Sequence, residues 1–154
     1  MRKKNAEADM KKSLIILCTL IVTGCSARQY INHNPQVVSN PEGVIKRVLQ
    51  EQPQKKLPRD IEITDEYLQI HVIAYRHEQF FDRAVPKTIT IYYDNMKTRF
   101  FQHRRWYVTD ILDKGDLLKY RVYSSTQGQS EALMNALHTM SQNVPITSGK
   151  TTTF

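Results

Sequence analysis

The chain is short of the residues that carry most protein chemistry. It holds two cysteines in 154 residues, Cys18 and Cys25, and none beyond them. From residue 26 onward there is no thiol to form a disulfide, bind a metal or act as a nucleophile. Its five glycines stand singly, so no glycine-rich loop is available to cradle phosphates. No G-x-S-x-G elbow presents a serine. Zinc needs three or four converging ligands, and His33, His71, His77, His103 and His138 show no H-x-x-x-H spacing. Asp110, Asp113 and Asp116 gather near a turn, where aspartate commonly serves local hydrogen bonding. The expectation is a protein that is not an enzyme and that carries no metal and no cofactor. Long hydrophobic runs are missing too. The apolar stretch Ser13–Thr23 is about half of the roughly 20 residues a membrane-crossing helix requires.

What is present is concentrated at the start. Lys11 and Lys12 precede the apolar run, with Arg2, Lys3 and Lys4 further upstream, and Val22-Thr23-Gly24-Cys25-Ser26 follows it. Basic residues, a short apolar core and small residues before a cleavage point form a signal peptide. Met10 begins a compact signal by itself, so residues 1–9 read either as an upstream extension or as a start-site misassignment.

Residues 22–25 resemble the lipobox of bacterial lipoproteins. That resemblance implies thioether attachment of diacylglycerol to Cys25, cleavage before it, and a membrane anchor. Ser26 in place of aspartate implies delivery to the outer membrane, facing the periplasm.

The segments 1–24 (signal peptide), 25–39 (lipidated cysteine and tether), 40–144 (one globular domain) and 145–154 (disordered tail) follow. Residues 1–24 carry five basic and two acidic residues. The charge of 22 Lys+Arg against 15 Asp+Glu therefore becomes 17 against 13, or +4, from residue 25 on. About 130 residues suffice for one domain with its own core.

Asn40-Pro41-Glu42 is a helix start, with a capping side chain, a proline suited to the first turn and an acid at the positive end of the dipole. Val44, Ile45, Val48 and Leu49 recur at helical spacing, and the helix should stop near Gln52. Ile61–Thr64 and Tyr67–Tyr75 alternate with period two and read as a hairpin. Residues 76–86, charged and containing Pro86, read as a loop that exposes Phe80 and Phe81, which with Tyr75 offer a secondary contact surface. Strands follow at Thr88–Tyr93, Lys97–Phe101, Trp106–Leu112 and Leu117–Ser124. Gly115 can supply a positive φ between the last two. Gln127-Gly128-Gln129 should end the last strand, and Ser130 should cap a helix whose apolar stripe is Ala132, Leu133, Ala136, Leu137 and Met140.

The fold class is α+β: a small antiparallel sheet or partly open barrel of about six or seven strands, with an N-terminal helix and a C-terminal capping helix. The order over Asp60–Met140, ending in Tyr120-Arg-Val-Tyr and the helix from Ser130, resembles pleckstrin-homology-like domains. A helix packed on an open antiparallel sheet is the competing arrangement.

The functional hint is Lys97-Thr-Arg-Phe-Phe-Gln-His-Arg-Arg-Trp-Tyr. Lys97 and Arg99 share a strand face, Arg104 and Arg105 follow in a loop, and Trp106 adjoins them. Such a patch can bind anionic groups or protect a sheet edge against aggregation. The expected role is a non-enzymatic adaptor or accessory subunit of an envelope assembly. Its expected partners are the membrane, through the lipid on Cys25, and an envelope protein. The alternatives are an anionic lipid- or glycan-binding module using 97–107 and, less favoured, an envelope enzyme. Basic residues interleaved with aromatics also suit nucleic acid, but an exported location argues against it.

Overall fold

The computed structural model describes residues 28–78 and 81–144. The signal segment, Cys25, Phe80 and the tail 145–154 lie outside the described residues, as do the side chains of Tyr75 and Phe81. The described chain is α+β, with two helices and seven strands in two antiparallel sheets and no closed barrel. The elements are β1 (Gln29–Tyr30), α1 (Pro41–Gln50), β2 (Asp60–Ile63), β3 (Tyr67–Glu78), β4 (Phe81–Tyr92), β5 (Met96–His103), β6 (Trp106–Asp113), β7 (Leu118–Ser124) and α2 (Gln127–Asn143). One sheet has the order β1-β5-β6-β7 and the other β2-β3-β4.

Local chemistry explains most boundaries. Asn40 Oδ1 accepts the Gly43 amide at 3.0 Å and Pro41 opens α1. The stripe Ile45, Val48 and Leu49 is buried. α2 begins earlier than Ser130. Thr126 and Gln129 form a capping box, each side chain satisfying the other's backbone amide. Gln127-Gly128-Gln129 is therefore the first turn of α2 rather than the end of β7. Ser130 lies inside the helix, fully buried, with its hydroxyl unpartnered among the described residues.

Two further expectations are corrected. The described residues of the segment 76–86, which are 76–78 and 81–86, are strand: β3 and β4 pair from Tyr67↔Tyr92 out to Glu78↔Phe81. Pro86 is tolerated because β4 is an edge strand, where a missing N–H removes no ladder bond. At the β6–β7 turn the positive φ belongs to Asp116 (63°), not to Gly115; aspartate visits this region through local hydrogen bonding.

The core joins both helices and both sheets. Ile45, Val48 and Leu49 meet Leu133, Ala136, Leu137 and Met140, with Leu68, Ile70 and Ile91 from one sheet and Ile111 and Val122 from the other. Tyr93, in a short 3-10 turn between β4 and β5, is 1% exposed, and its hydroxyl has no partner among the described residues. Burial drives its phenol well above the ordinary value. A buried unpartnered hydroxyl costs about 1–3 kcal/mol, so Tyr93→Phe is expected to stabilise the domain by about 1 kcal/mol in urea unfolding. Because the folded-state value is raised, the stability tied to this group is present below pH 10 and is lost as pH rises above that. The variant should lose that alkaline sensitivity. Lower stability for Tyr93→Phe would show that the hydroxyl has a partner such as a buried water.

The segment expected to act as tether is docked along the domain from Arg28 on. β1 adds to the edge of β5, and the Ile31 amide donates to the Phe100 carbonyl at 3.0 Å. His33 Nε2 lies 2.8 Å from Asn135 Oδ1, and the Gln36 amide donates to that same oxygen. The Val38 amide donates to Thr139 Oγ1 at 3.0 Å, and Val38 packs against the core. Residues 28–38 thus form a strap from β5 across α2. Backbone pairing and side-chain acceptors offset the entropy of ordering it.

Candidate functional site

Alternation along the four-stranded sheet separates its two faces. Phe100, Thr109, Ile111 and Val122 point to the α2 side, where Ile111 and Val122 join the core. The opposite face carries Lys97, Arg99, Phe101 and His103 on β5, Asp110, Val108 and Trp106 on β6, and Arg121 and Tyr123 on β7. β1 extends it with Tyr30, opposite Phe101.

Phe101 is the centre of that face. It is buried beneath polar side chains rather than beneath another layer of the core. Arg28 Cζ lies 5.2 Å and Arg121 Cζ 5.6 Å from its ring centroid, and the Tyr30 ring lies 5.7 Å away. These are cation–π and aromatic contacts. Tyr30 is half exposed, and the guanidinium groups of Arg99 and then Arg28 hold its phenol below the ordinary value. Arg121 donates from Nε and Nη2 to the Asp110 carboxylate at 2.5 and 2.8 Å. The carboxylate in turn raises the guanidinium above its usual range. This paired fork is the strong form of the interaction.

The five residues singled out in the sequence do not meet in one pocket. From Lys97 to Arg104 the strand runs roughly 23 Å at about 3.3 Å per residue. Lys97 is ion-paired at the far end with Asp116, Nζ to Oδ1 3.3 Å. Arg99 stands mid-strand beside Tyr30. Arg104 and Arg105 form the two-residue loop between β5 and β6, closed by the His103↔Trp106 pair. Arg104 has φ 56°, the first loop position that glycine usually takes in a type II′ hairpin. Arg105 Cζ sits 5.2 Å over the Trp106 ring. The tip is thus an exposed pair of guanidinium groups on a half-buried indole.

The turn aspartates are structural. Asp113 Oδ1 accepts the Leu117 amide at 2.9 Å and its Oδ2 lies 3.2 Å from Lys119 Nζ. The Leu117 amide, with Lys119 as a lesser cause, holds this carboxyl below its ordinary value. Among the described residues no three His, Cys, Asp or Glu side chains converge as a metal site, and no helix is long and apolar enough to cross a membrane.

Arg28, Tyr30 and Arg121 escape a residue-by-residue reading, because only strand pairing brings them to Phe101. The signal available for β1 was Tyr30-Ile31 in an otherwise polar run.

No protein-family model, curated protein or solved structure matches the chain. The class the fold defines is coarse: an α+β domain of two antiparallel sheets and two helices.

Proposed function

We propose that the chain is a lipid-anchored bacterial outer-membrane lipoprotein facing the periplasm, whose domain serves as a non-enzymatic adaptor or accessory subunit of an envelope assembly. The resemblance to pleckstrin-homology-like domains belongs to the same proposal. Its main support is the lipobox-like Val22–Cys25. The way the chain enters the fold gives the proposal its geometry. β1 runs antiparallel to β5, so Arg28 falls level with His103, beside the hairpin tip. Only two residues, Ser26 and Ala27, separate Arg28 from Cys25, and the three steps between them reach about 10 Å. A lipid on Cys25 would hold the domain against the headgroups, tip first, instead of on a long lead. Anchoring of that kind raises effective concentration towards membrane-bound partners.

Mass spectrometry of the native protein should find Cys25 at the mature N-terminus with added lipid mass, and Cys25→Ala should lack both the cleavage and the added mass. An unlipidated native chain overturns the anchor. A pull-down from solubilised membranes should recover a stoichiometric envelope protein, and its repeated absence counts against the adaptor.

The tip favours a second reading, contact with anionic headgroups or glycans by Arg99, Arg104, Arg105 and the Trp106 ring. Lys97 contributes less, because Asp116 neutralises it. Arg104→Gly suits the positive φ and removes one cation without disturbing the fold. It should weaken binding to phosphatidylglycerol vesicles about fivefold, at about 1 kcal/mol per interfacial cation. Unchanged binding sinks this second reading.

A further inference from the structure

A second cationic feature lies elsewhere on the domain. A cleft of about 440 Å³ is bounded by the short 3-10 turn Gln54–Lys56, the β3–β4 pair and β7. Its size falls within the usual range of small-molecule sites. Among the described residues, five of its lining side chains are cationic (Lys55, Lys56, Lys87, Lys119 and Arg121) and none is acidic. Val72, Ile73 and Leu118 contribute apolar lining.

Two of these charges are already compensated, Lys119 by Asp113 and Arg121 by Asp110. Among the described residues no carboxylate lies within ion-pair distance of Lys55, Lys56 or Lys87. Like charges facing one concave space repel one another, and low-dielectric walls focus their potential into that space. An anion entering the cleft removes that repulsion.

The wall that carries Lys55 and Lys56 is fixed in place. Tyr120 Oη donates to the Lys56 carbonyl at 3.2 Å. Gln52, 4% exposed, donates from Nε2 to Tyr120 Oη at 3.3 Å and accepts the Tyr123 amide on Oε1 at 3.2 Å. The turn is therefore clamped to β7 from inside, and the Lys56 ammonium rests 5.7 Å from the Tyr123 ring centroid. A preorganised site loses less entropy when it binds.

We propose that this cleft is a binding site for a small polyanion bearing phosphate groups. Carboxylate recognition favours the planar arginine fork, whereas lysine binds phosphate as a point charge. The one arginine here is committed to Asp110, and the groups left over are ammonium groups. A concave site of this volume fits a compact ligand better than a protein surface, which needs roughly 800 Å² per partner. The β7 lining starts at Leu118, the end of the strand remote from the hairpin tip. The site does not depend on the lipid at Cys25.

The test is calorimetric titration of the full chain, held in non-ionic detergent at 0.15 M salt, with inorganic tripolyphosphate. Saturable binding tighter than about 1 mM is expected. The double substitution Lys55→Gln/Lys87→Gln should weaken it at least about tenfold, with a melting temperature that is not lowered, because both side chains are exposed and their loss relieves repulsion. Arg104→Gly at the hairpin tip should change it less than about twofold. Competition by phosphatidylglycerol added to the detergent micelles, and not by phosphatidylcholine, would assign a lipid headgroup as the source of phosphate. Binding without such competition would assign a soluble one. Absence of saturable binding, or equal loss in the Arg104→Gly protein, overturns the site.

Discussion

Arg121→Ala is expected to destabilise the domain by about 3–5 kcal/mol, the loss that follows when one member of a buried ion pair is removed. The Asp110 side chain is 4% exposed and that of Arg121 is 28% exposed. Asp110 sits on β6 between Val108 and Leu112, both buried. Without the guanidinium its carboxylate would remain desolvated with no partner. The ring of Phe101 would also lose one of its two covering cations. The reverse change, Asp110→Ala, should cost less, about 1.5–3 kcal/mol, because the longer arginine can turn to water. The double variant should recover part of the sum, giving a favourable coupling in the cycle. Urea midpoints at constant m-value measure all three. Losses below about 1 kcal/mol for both single variants would show that the carboxylate reaches solvent and that the pair is only a surface contact.

The helices and strands that were legible in the sequence are those whose signals are local. Asn40-Pro41-Glu42 announces a cap that the 3.0 Å bond to Gly43 satisfies. The alternation of Leu68, Ile70 and Val72 faces the core. Two of the differences share one physical cause, which is that tertiary pairing outweighs local composition. Pro86 suggested a loop, yet on an edge strand it removes no needed donor. Residues 28–38 look like a polar linker, but the acceptors Asn135 and Thr139 on α2 hold them. Nothing near in sequence announces those partners, which lie about a hundred positions away.

The candidate sites follow the same rule. Lys97, Arg99, Arg104 and Arg105 were visible as one basic run, but the fold distributes them along a hairpin and neutralises Lys97. The cleft of Lys55, Lys56 and Lys87 is invisible in the sequence, because its five cations come from three separate segments. Arg28 was hidden in the supposed tether. A run of charge in sequence marks a strand or loop; a site needs charges gathered by topology, and pairing registers decide which ones gather.

Leu49→Ala is expected to cost about 2–5 kcal/mol, and it decides whether α1 is part of the core or an addition to it. Leu49 is fully buried in the cluster that joins Leu133, Ala136, Leu137 and Met140 on α2 to Ile111 and Val122 on the four-stranded sheet. Removing its branched carbons leaves a cavity in the cluster to which both helices and both sheets contribute, and close-packed neighbours relax only partly into such a void. The strap strengthens the case: Val38 also packs against this cluster, just before Asn40 caps α1. Loosening α1 should therefore loosen the strap, and with it the approach of β1 to β5. The expected result is one cooperative unfolding transition at a lower urea midpoint. Amide exchange in α1, β6 and α2 should be accelerated by similar factors, as for a single folding unit. Exchange accelerated in residues 41–50 alone, with β6 and α2 unaffected, would make α1 a detachable layer and would uncouple the core from the segment that leads to Cys25.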